Sequence, residues 1–155
     1  MRVIIIISIW MLSVSLLIYP MPATAATRHF QWQGLKGYKV TGDYVYDTHT
    51  HYRGNASQII HEQGRGQTNQ IEALQVRFYD PTGKLIYQHD DIVNGVSSGK
   101  YFVLNLNPTT QELSGKLDIG GENIQELFLG GTVNGGLALI EIDAAGVERI
   151  LDRDK

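Results

Sequence analysis

The sequence predicts an all-β protein, an antiparallel β-sandwich of about eight strands preceded by a signal-peptide helix. Residues 37–52 alternate between a tyrosine-rich face and a face of charged and polar side chains, which is typical of a half-buried strand. Further strand-like runs follow, separated by turn signals every 8 to 12 residues or so, as in sandwiches and barrels. No later segment carries an apolar repeat of 3.6 residues over about ten residues, although residues 120–129 fit a short helical turn as well as a strand.

The first 25 residues have the features of a secretory signal peptide. Arg2 is followed by an apolar run over residues 3–19, and Ala23-Thr24-Ala25 matches a cleavage pattern. Cleavage after Ala25 would leave one sandwich domain, residues 26–155, in the periplasm or outside the cell, with no stable membrane insertion. The alternative is an uncleaved anchor, although the run is shorter than the roughly 20 residues that a spanning helix prefers.

The composition excludes several function classes. The chain has a formal net charge of −3 and its charges are spread without runs, which argues against nucleic acid and anionic lipid as partners. It contains no cysteine, so no disulfide staples the fold. A domain of this size buries roughly two-thirds of its unfolded surface, so a core without disulfides is feasible.

The sequence of the first half of the domain predicts three features, taken here in chain order. Phe30 and Trp32 have strand spacing and predict a short strand within residues 26–36. The long strand follows, and its inward face carries Tyr38, Val40, Tyr44, Tyr46 and Tyr52. Residues 53–70 are rich in Gly, Asn, Gln and Ser, which indicates a long loop with a short strand near Ile59. Loops of this length are often functional.

A β-hairpin is predicted over residues 74–89. Leu74, Val76 and Phe78 alternate with polar residues, and Asp80-Pro81-Thr82-Gly83 then provides a turn. Proline at the second position presets φ, aspartate caps the turn, and glycine permits a left-handed conformation. Residues 90–99 are expected to form a connection. The remaining strands are predicted at 101–106, 112–119, 124–129, 137–143 and 147–151.

Three side chains of the long strand suggest a metal site. Asp47, His49 and His51 are spaced by two residues, so on a strand they share one face, about 7 Å apart. Two imidazoles and a carboxylate suit a divalent transition metal such as zinc, copper or iron. A fourth ligand would have to come from elsewhere, with His61, Glu62 or His89 as candidates. The plainer interpretation is the polar end of an edge strand, and no cofactor is then expected.

Other motifs carry weaker signals for chemistry. Residues 95–99 match G-x-S-x-G, but that motif acts on a strand-to-helix turn and here precedes another strand. Asp90 and Asp91, beside His89, could bind calcium or act as acid and base, yet adjacent strand residues point to opposite faces. The glycine-rich residues 130–136 lack the lysine and spacing of a phosphate loop.

Exposed aromatic rings are a second kind of candidate site. Tyr79 and Tyr101 have the outward parity of their predicted strands, and such rings can stack on sugars or pack on proteins. Trp32 and Tyr87 are weaker candidates of the same type. Single exposed aromatic residues are common on protein surfaces, so this pattern alone predicts a binding surface and no particular ligand.

Three segments are similar to a known group of proteins. They are Tyr44-Val45-Tyr46-Asp47, Val76-Arg77-Phe78-Tyr79-Asp80-Pro81-Thr82-Gly83, and Gly115-Lys116-Leu117-Asp118-Ile119-Gly120-Gly121. They resemble the ectodomains of exported bacterial β-sandwich proteins of unknown function, some of which carry a PEP-CTERM sorting tail. The resemblance covers most of residues 37–143. It implies a β-sandwich fold and export from the cell, and it carries over no catalytic residue. The printed chain lacks the sorting tail, so surface sorting by that route is not implied.

Three functional hypotheses remain open from the sequence. The first is an exported, non-enzymatic module that binds a cell-envelope protein or polysaccharide through the surface around Tyr79 and Tyr101 or through the 53–70 loop. The second is a small β-barrel that carries an apolar ligand, such as a lipid or pigment. The third is a metal-binding protein or metal-dependent enzyme that uses Asp47, His49 and His51. An enzyme would require convergent polar groups in a pocket.

Overall fold

The computed structural model describes residues 26–46, 59–119, 126–132 and 135–154. Within these ranges the protein consists of β-strands and turns, and it has no helix that is long and apolar enough to cross a membrane. In chain order the strands are β1 (Ala26–Gln33), β2 (Lys39–Tyr46), β3 (Ile60–Gln63), β4 (Gly66–Gln67), β5 (Ile71–Tyr79), β6 (Leu85–Val93), β7 (Val96–Ser97), β8 (Val103–Asn107), β9 (Glu112–Asp118), β10 (Glu126–Gly131), β11 (Leu137–Ile142) and β12 (Glu148–Arg153).

The strands form two antiparallel sheets of six strands each, which confirms the predicted sandwich. The first sheet has the order β1-β2-β5-β6-β7-β4, and the second has the order β12-β11-β10-β9-β8-β3. The twelve described strands exceed the expected eight, and β4 and β7, with two residues each, account for two of the additional ones. Strands this short show no alternation in the sequence and are defined only by their pairing.

Alternation along β2 determines which side chains of the first sheet are buried. Val40 and Tyr44 are fully buried, while Tyr38 and Tyr46 are half-buried and pack against the core. Gly42 belongs to the same face, and a Cβ placed there would lie 2.1 Å from Cζ of Phe30. The glycine therefore makes room for the Phe30 ring, which covers it from β1. The predicted inward face is confirmed for residues 38–46; Tyr52 lies outside the described residues.

The β5–β6 hairpin forms where the sequence predicts it. Leu74, Val76 and Phe78 are buried, and the chain turns at residues 80–83 with Gly83 at a φ of 85°. The Asp80 carboxylate accepts hydrogen bonds from the backbone amides of Thr82 at 2.8 Å and Lys84 at 3.0 Å. The turn thus uses each residue type for the expected physical reason.

Two connecting segments contain more strand than the sequence predicts. Residues 90–93 complete β6, and β7 follows at once, so the prediction of a connection over residues 90–99 was wrong for most of that stretch. Within the predicted 53–70 loop, β3 confirms the short strand near Ile59, and β4 adds a second one. Buried Glu62 stabilises this segment by accepting hydrogen bonds from the amides of Asn69 and Gln70.

Apolar side chains from both sheets fill the space between them. The largest fully buried ones are Tyr44, Phe30, Phe78, Phe102, Ile60, Ile71, Leu74, Ile92, Leu104, Leu106, Leu117 and Ile119. The second sheet contributes Leu104 and Leu117 to this core, and Phe102 joins them from the residue before β8. Such a continuous apolar core is the main source of stability in a domain without disulfides.

Two carboxylates join the sheets at one edge. Asp152 of β12 is buried and accepts hydrogen bonds from the backbone amides of Lys36 and Tyr38, in the β1–β2 turn. Asp154 accepts a hydrogen bond from Nε1 of Trp32 in β1 at 3.1 Å. The C-terminal strand of the second sheet is thereby fixed to the first hairpin of the other.

Candidate functional site

The outer face of the first sheet presents a continuous row of polar side chains. Strand pairing places His29, Asp43, Gln75 and Asp90 side by side across β1, β2, β5 and β6. Nε2 of Gln75 donates a hydrogen bond to Oδ1 of Asp90 at 2.5 Å. Nη1 of Arg77, in the next row, lies 2.6 Å from Oδ2 of Asp43. These contacts hold the side chains in fixed positions on the sheet.

A cavity of about 790 Å³ opens on this face, and we call it the outer-face groove. Residues of β1, β2, β5 and β6 supply its floor, most of them outward-facing, and β4 and the β6–β7 turn supply its wall. The residues that line it are Thr27, Asp43, Tyr44, Val45, Gln67, Glu72, Ala73, Leu74, Gln75, Asp90, Ile92, Val93, Asn94 and Gly95. Its volume is within the range of small-molecule sites.

The chemistry of the lining favours a ligand that donates hydrogen bonds. Asp43, Glu72 and Asp90 provide carboxylates, and three amide side chains add both donors and acceptors. None of the described residues that line the groove is Lys, Arg or His. Arg77, which does not line the groove, compensates Asp43, so an anionic ligand would still meet the negative charge of Glu72 and Asp90. Apolar atoms, from residues such as Val45, Ala73 and Val93, form the larger part of the groove surface, and the polar groups are set among them.

Tyr79 lies on the same outer face, at the end of β5, about four residues from Gln75. Its ring is half-buried, and Nζ of Lys39 lies 4.8 Å from the ring centroid. Tyr101 is 56% exposed but precedes β8, outside the strands, and Nζ of Lys100 lies 4.9 Å from its ring centroid. The two tyrosines therefore do not lie on one sheet face, and neither of them lines the groove.

The predicted metal ligands Asp47, His49 and His51 lie outside the described residues. The proposed fourth ligands are described, and each has another partner. His61 hydrogen-bonds Asn105, Glu62 binds backbone amides, and His89 contacts Asp91. In the described ranges no group of three or more His, Cys, Asp or Glu side chains could hold a metal ion.

His89 and Asp91 form a pair that the sequence argument did not identify. Nδ1 of His89 lies 3.0 Å from Oδ1 of Asp91, and the Asp91 side chain is fully buried. Burial raises the pKa of Asp91 to about 6, and the hydrogen bond with Asp91 raises the pKa of His89. Asp90 faces the groove instead, so the expectation that Asp90 and Asp91 diverge agrees with the structure. The i, i+2 spacing of His89 and Asp91 was the available signal.

The G-x-S-x-G motif forms no nucleophile site. Ser97 lies in β7, is buried, and its Oγ has no hydrogen-bond partner. A serine nucleophile needs a base within hydrogen-bond reach and access for a substrate. Ser97 has neither.

Of the glycine-rich segment 130–136, residues 130 and 131 end β10, and residues 133 and 134 lie outside the described residues. The amide of Thr132 donates to Gly136 O at 2.8 Å, and the amide of Gly135 donates to Thr132 O at 3.0 Å. A cavity of about 590 Å³ beside this turn is lined in part by Glu112 and Asp154. Phosphate binding is disfavoured here because these amides already donate within the turn and because the nearby carboxylates would repel an anion.

No protein-family model, curated protein or solved structure matches this chain. The function must therefore be argued from the geometry. The sequence indicated Asp90 as a candidate for other chemistry and did not predict the row that Asp43, Gln75 and Asp90 form. The alternation within each strand predicts that these side chains face outward, whereas their alignment in one row depends on how four strands pair.

Proposed function

We propose that this protein is an exported, non-enzymatic binding module that holds a neutral polysaccharide of the cell envelope in the outer-face groove. The supporting observation is the groove itself, an open cavity of about 790 Å³ whose polar side chains belong to paired strands. Sites built on strands hold their side chains more precisely than sites on loops. The floor is therefore organised before a ligand arrives.

A polyhydroxylated chain matches the polar groups of the groove. Sugar hydroxyls donate to carboxylates and exchange hydrogen bonds with amides, and hydrogen bonds that involve a charged group are stronger than neutral ones. Two of the carboxylates already have partners, because Asp43 pairs with Arg77 and Asp90 accepts from Gln75. Arg77 neutralises Asp43, whereas the neutral amide of Gln75 only gives Asp90 a hydrogen-bond donor, and the reduced net charge favours a neutral ligand over a strongly basic one.

The apolar-carrier hypothesis receives less support. The described strands form two separate sheets, and large apolar side chains fill the space between them. A lipid or pigment carrier needs an internal apolar cavity. An apolar molecule in the outer-face groove would remove water from its carboxylates without offering them hydrogen bonds in return, which costs free energy.

Affinity electrophoresis and isothermal titration with soluble neutral polysaccharides would test the proposal. Dextran, mixed-linkage β-glucan and galactomannan are suitable probes, with polygalacturonate as the anionic comparison. We expect one neutral chain to bind and the anionic chain not to bind. The double variant Gln75→Ala with Asp90→Ala should bind at least about tenfold more weakly, because it removes hydrogen bonds worth about 1.5–3 kcal/mol each when charged.

Gln88→Ala is the matched control, because Gln88 is exposed, lies in β6 and does not line the groove. It should bind like the unaltered protein. Binding of none of the neutral chains, or equal binding by the double variant and the control, would contradict the proposal. Binding of a basic peptide instead would assign the groove to a protein partner.

A further inference from the structure

A buried carboxylate lies directly behind the wall of the groove. The Asp91 side chain has 0% exposure, and its Oδ1 lies 3.0 Å from Nδ1 of His89. Its second oxygen, Oδ2, is buried without a hydrogen-bond partner. The free energy of a buried carboxylate in this state depends strongly on whether its hydrogen-bond partner, here His89, carries a positive charge.

A β-bulge places this carboxylate inside the protein. Gln75 pairs with Asp90 and Leu74 pairs with Ile92, so Asp91 is the additional residue in β6. Asp90 faces the groove, and Asp91 and Ile92 are both buried. Bulges re-aim side chains in this way and often lie near functional sites.

The same segment forms the wall of the groove. Val93, Asn94 and Gly95, which we call the β6–β7 corner, line the groove. The amide of Gly95 donates to Glu72 O at 2.7 Å, and the amide of Ser98 donates to Asp91 O at 3.4 Å. The backbone of Asp91 thus contacts the chain on the far side of the corner, and a shift of the bulge would move the wall.

The surroundings of the pair are mainly acidic. On β6, Asp90 is adjacent and the Tyr87 ring stacks on His89 with an interplanar angle of 8°. On β9, Asp118 lies close enough to raise the pKa of Asp91, and Nζ of Lys116 lies 2.7 Å from Asp118. On β10, Glu126 raises the pKa of Tyr87 by charge repulsion. Protonated His89 is therefore the cation in hydrogen-bond contact with Asp91.

We propose that His89 and Asp91 form a pH-operated switch, in which protonated His89 holds the bulge and the β6–β7 corner in place and its deprotonation loosens the groove wall. The effect on ligand affinity rests on the proposed function, whereas the effect on the corner does not.

The direction of the switch follows from the two titrations. The pKa of Asp91 rises from 3.8 to about 6, so the cost of its buried charge appears as the pH rises through that interval. The pKa of His89 lies above its ordinary 6.5, so its stabilising charge is present below that value and is lost as the pH rises through the raised pKa. The wall is thus held at acidic and neutral pH and loosened at alkaline pH.

Amide hydrogen exchange followed by NMR would test the switch without any ligand. We expect protection of the Gly95 and Ser98 amides, corrected for intrinsic exchange, to fall at least tenfold between pH 6.5 and pH 9. Asp91→Asn removes the buried charge and should abolish this fall. His61→Gln is the control, because His61 is an exposed histidine on β3, and it should retain the fall.

Constant protection in the unaltered protein, or an equal fall in Asp91→Asn, would overturn the switch. If Asp91→Asn does not fold, NMR titration of His89 in the unaltered protein decides, since a pKa at or below 6.5 contradicts the pairing. Titration of mixed-linkage β-glucan at both pH values separates the two proposals. If amide protection at the corner changes with pH but glucan does not bind, the switch is supported and the proposed ligand is contradicted. If glucan binds equally at both pH values and amide protection at the corner stays constant, only the switch is overturned.

Discussion

At the scale of single residues, small chemical differences decide what each position contributes. Asp90 and Asp91 are adjacent and chemically identical, yet one lines a solvent-facing groove and the other is buried beside His89. Gly42 permits the Phe30 ring to pack over β2, which no larger residue would allow. Burial and local contacts, more than residue type, therefore determine the properties of these side chains.

The raised pKa of Asp91 predicts an unusual pH dependence of stability. Because the folded pKa of about 6 exceeds the ordinary value of 3.8, the folded state binds this proton more tightly than the unfolded state. The contribution of Asp91 to stability is full below pH 3.8 and declines as the pH rises through 6, by about 3 kcal/mol at most from a shift of this size.

Urea unfolding at pH 4.5 and pH 7 checks this prediction. Asp91→Asn should reduce the loss of stability between the two pH values, and His61→Gln should leave it unchanged. A loss in Asp91→Asn equal to that in the unaltered protein would show that other groups cause the pH dependence.

At the scale of elements, the sequence predicts strands where alternation is regular and fails where pairing is irregular. β2 and the β5–β6 hairpin were predicted because period-2 burial and turn chemistry agree there. The second half of β6 was missed because the bulge at Asp91 breaks the alternation. The groove row was missed for another reason, since alignment across four strands cannot be read from any one strand.

The hairpin turn offers a prediction at this scale. Gly83 has a φ of 85°, which disfavours residues with a Cβ, although asparagine tolerates it better than alanine. We expect Gly83→Ala to lower the free energy of unfolding by about 1 kcal/mol and Gly83→Asn to lower it by less.

Chemical denaturation of the two variants would measure the difference. A Cβ at Gly83 would meet no heavy atom within 4 Å, so any cost reflects backbone conformation and not a clash. Equal losses for alanine and asparagine would argue against this explanation.

At the scale of the whole molecule, the two sheets are joined by their core and by the carboxylates of β12 and the chain that follows it. Asp152 accepts hydrogen bonds from backbone amides of the β1–β2 turn. A Cβ placed at Gly34 would lie 2.3 Å from the carboxyl group of Asp152. Since the turn and the strand are more than 100 residues apart in the chain, this contact unites the ends of the described domain.

Removal of this carboxylate should destabilise the entire domain. Asp152→Ala leaves the part-buried backbone amides of Lys36 and Tyr38 without this acceptor, and we expect a loss of about 1–3 kcal/mol. Glu148→Ala, an exposed change in the same strand, should stay within about 0.5 kcal/mol.

Thermal unfolding monitored by circular dichroism would compare these two variants. A similar melting temperature for both would mean that solvent replaces Asp152 as the acceptor and that the apolar core alone joins the sheets.

The strand order also has a consequence for the route of folding. From β8 to β12 each strand of the second sheet pairs with the next strand in the chain, whereas the first sheet requires β2 to find β5 across the two strands between them. Local pairings close with little loss of chain entropy, and distant pairings close late. The C-terminal half is therefore expected to form first and to act as the template on which the N-terminal half, with its groove, is assembled.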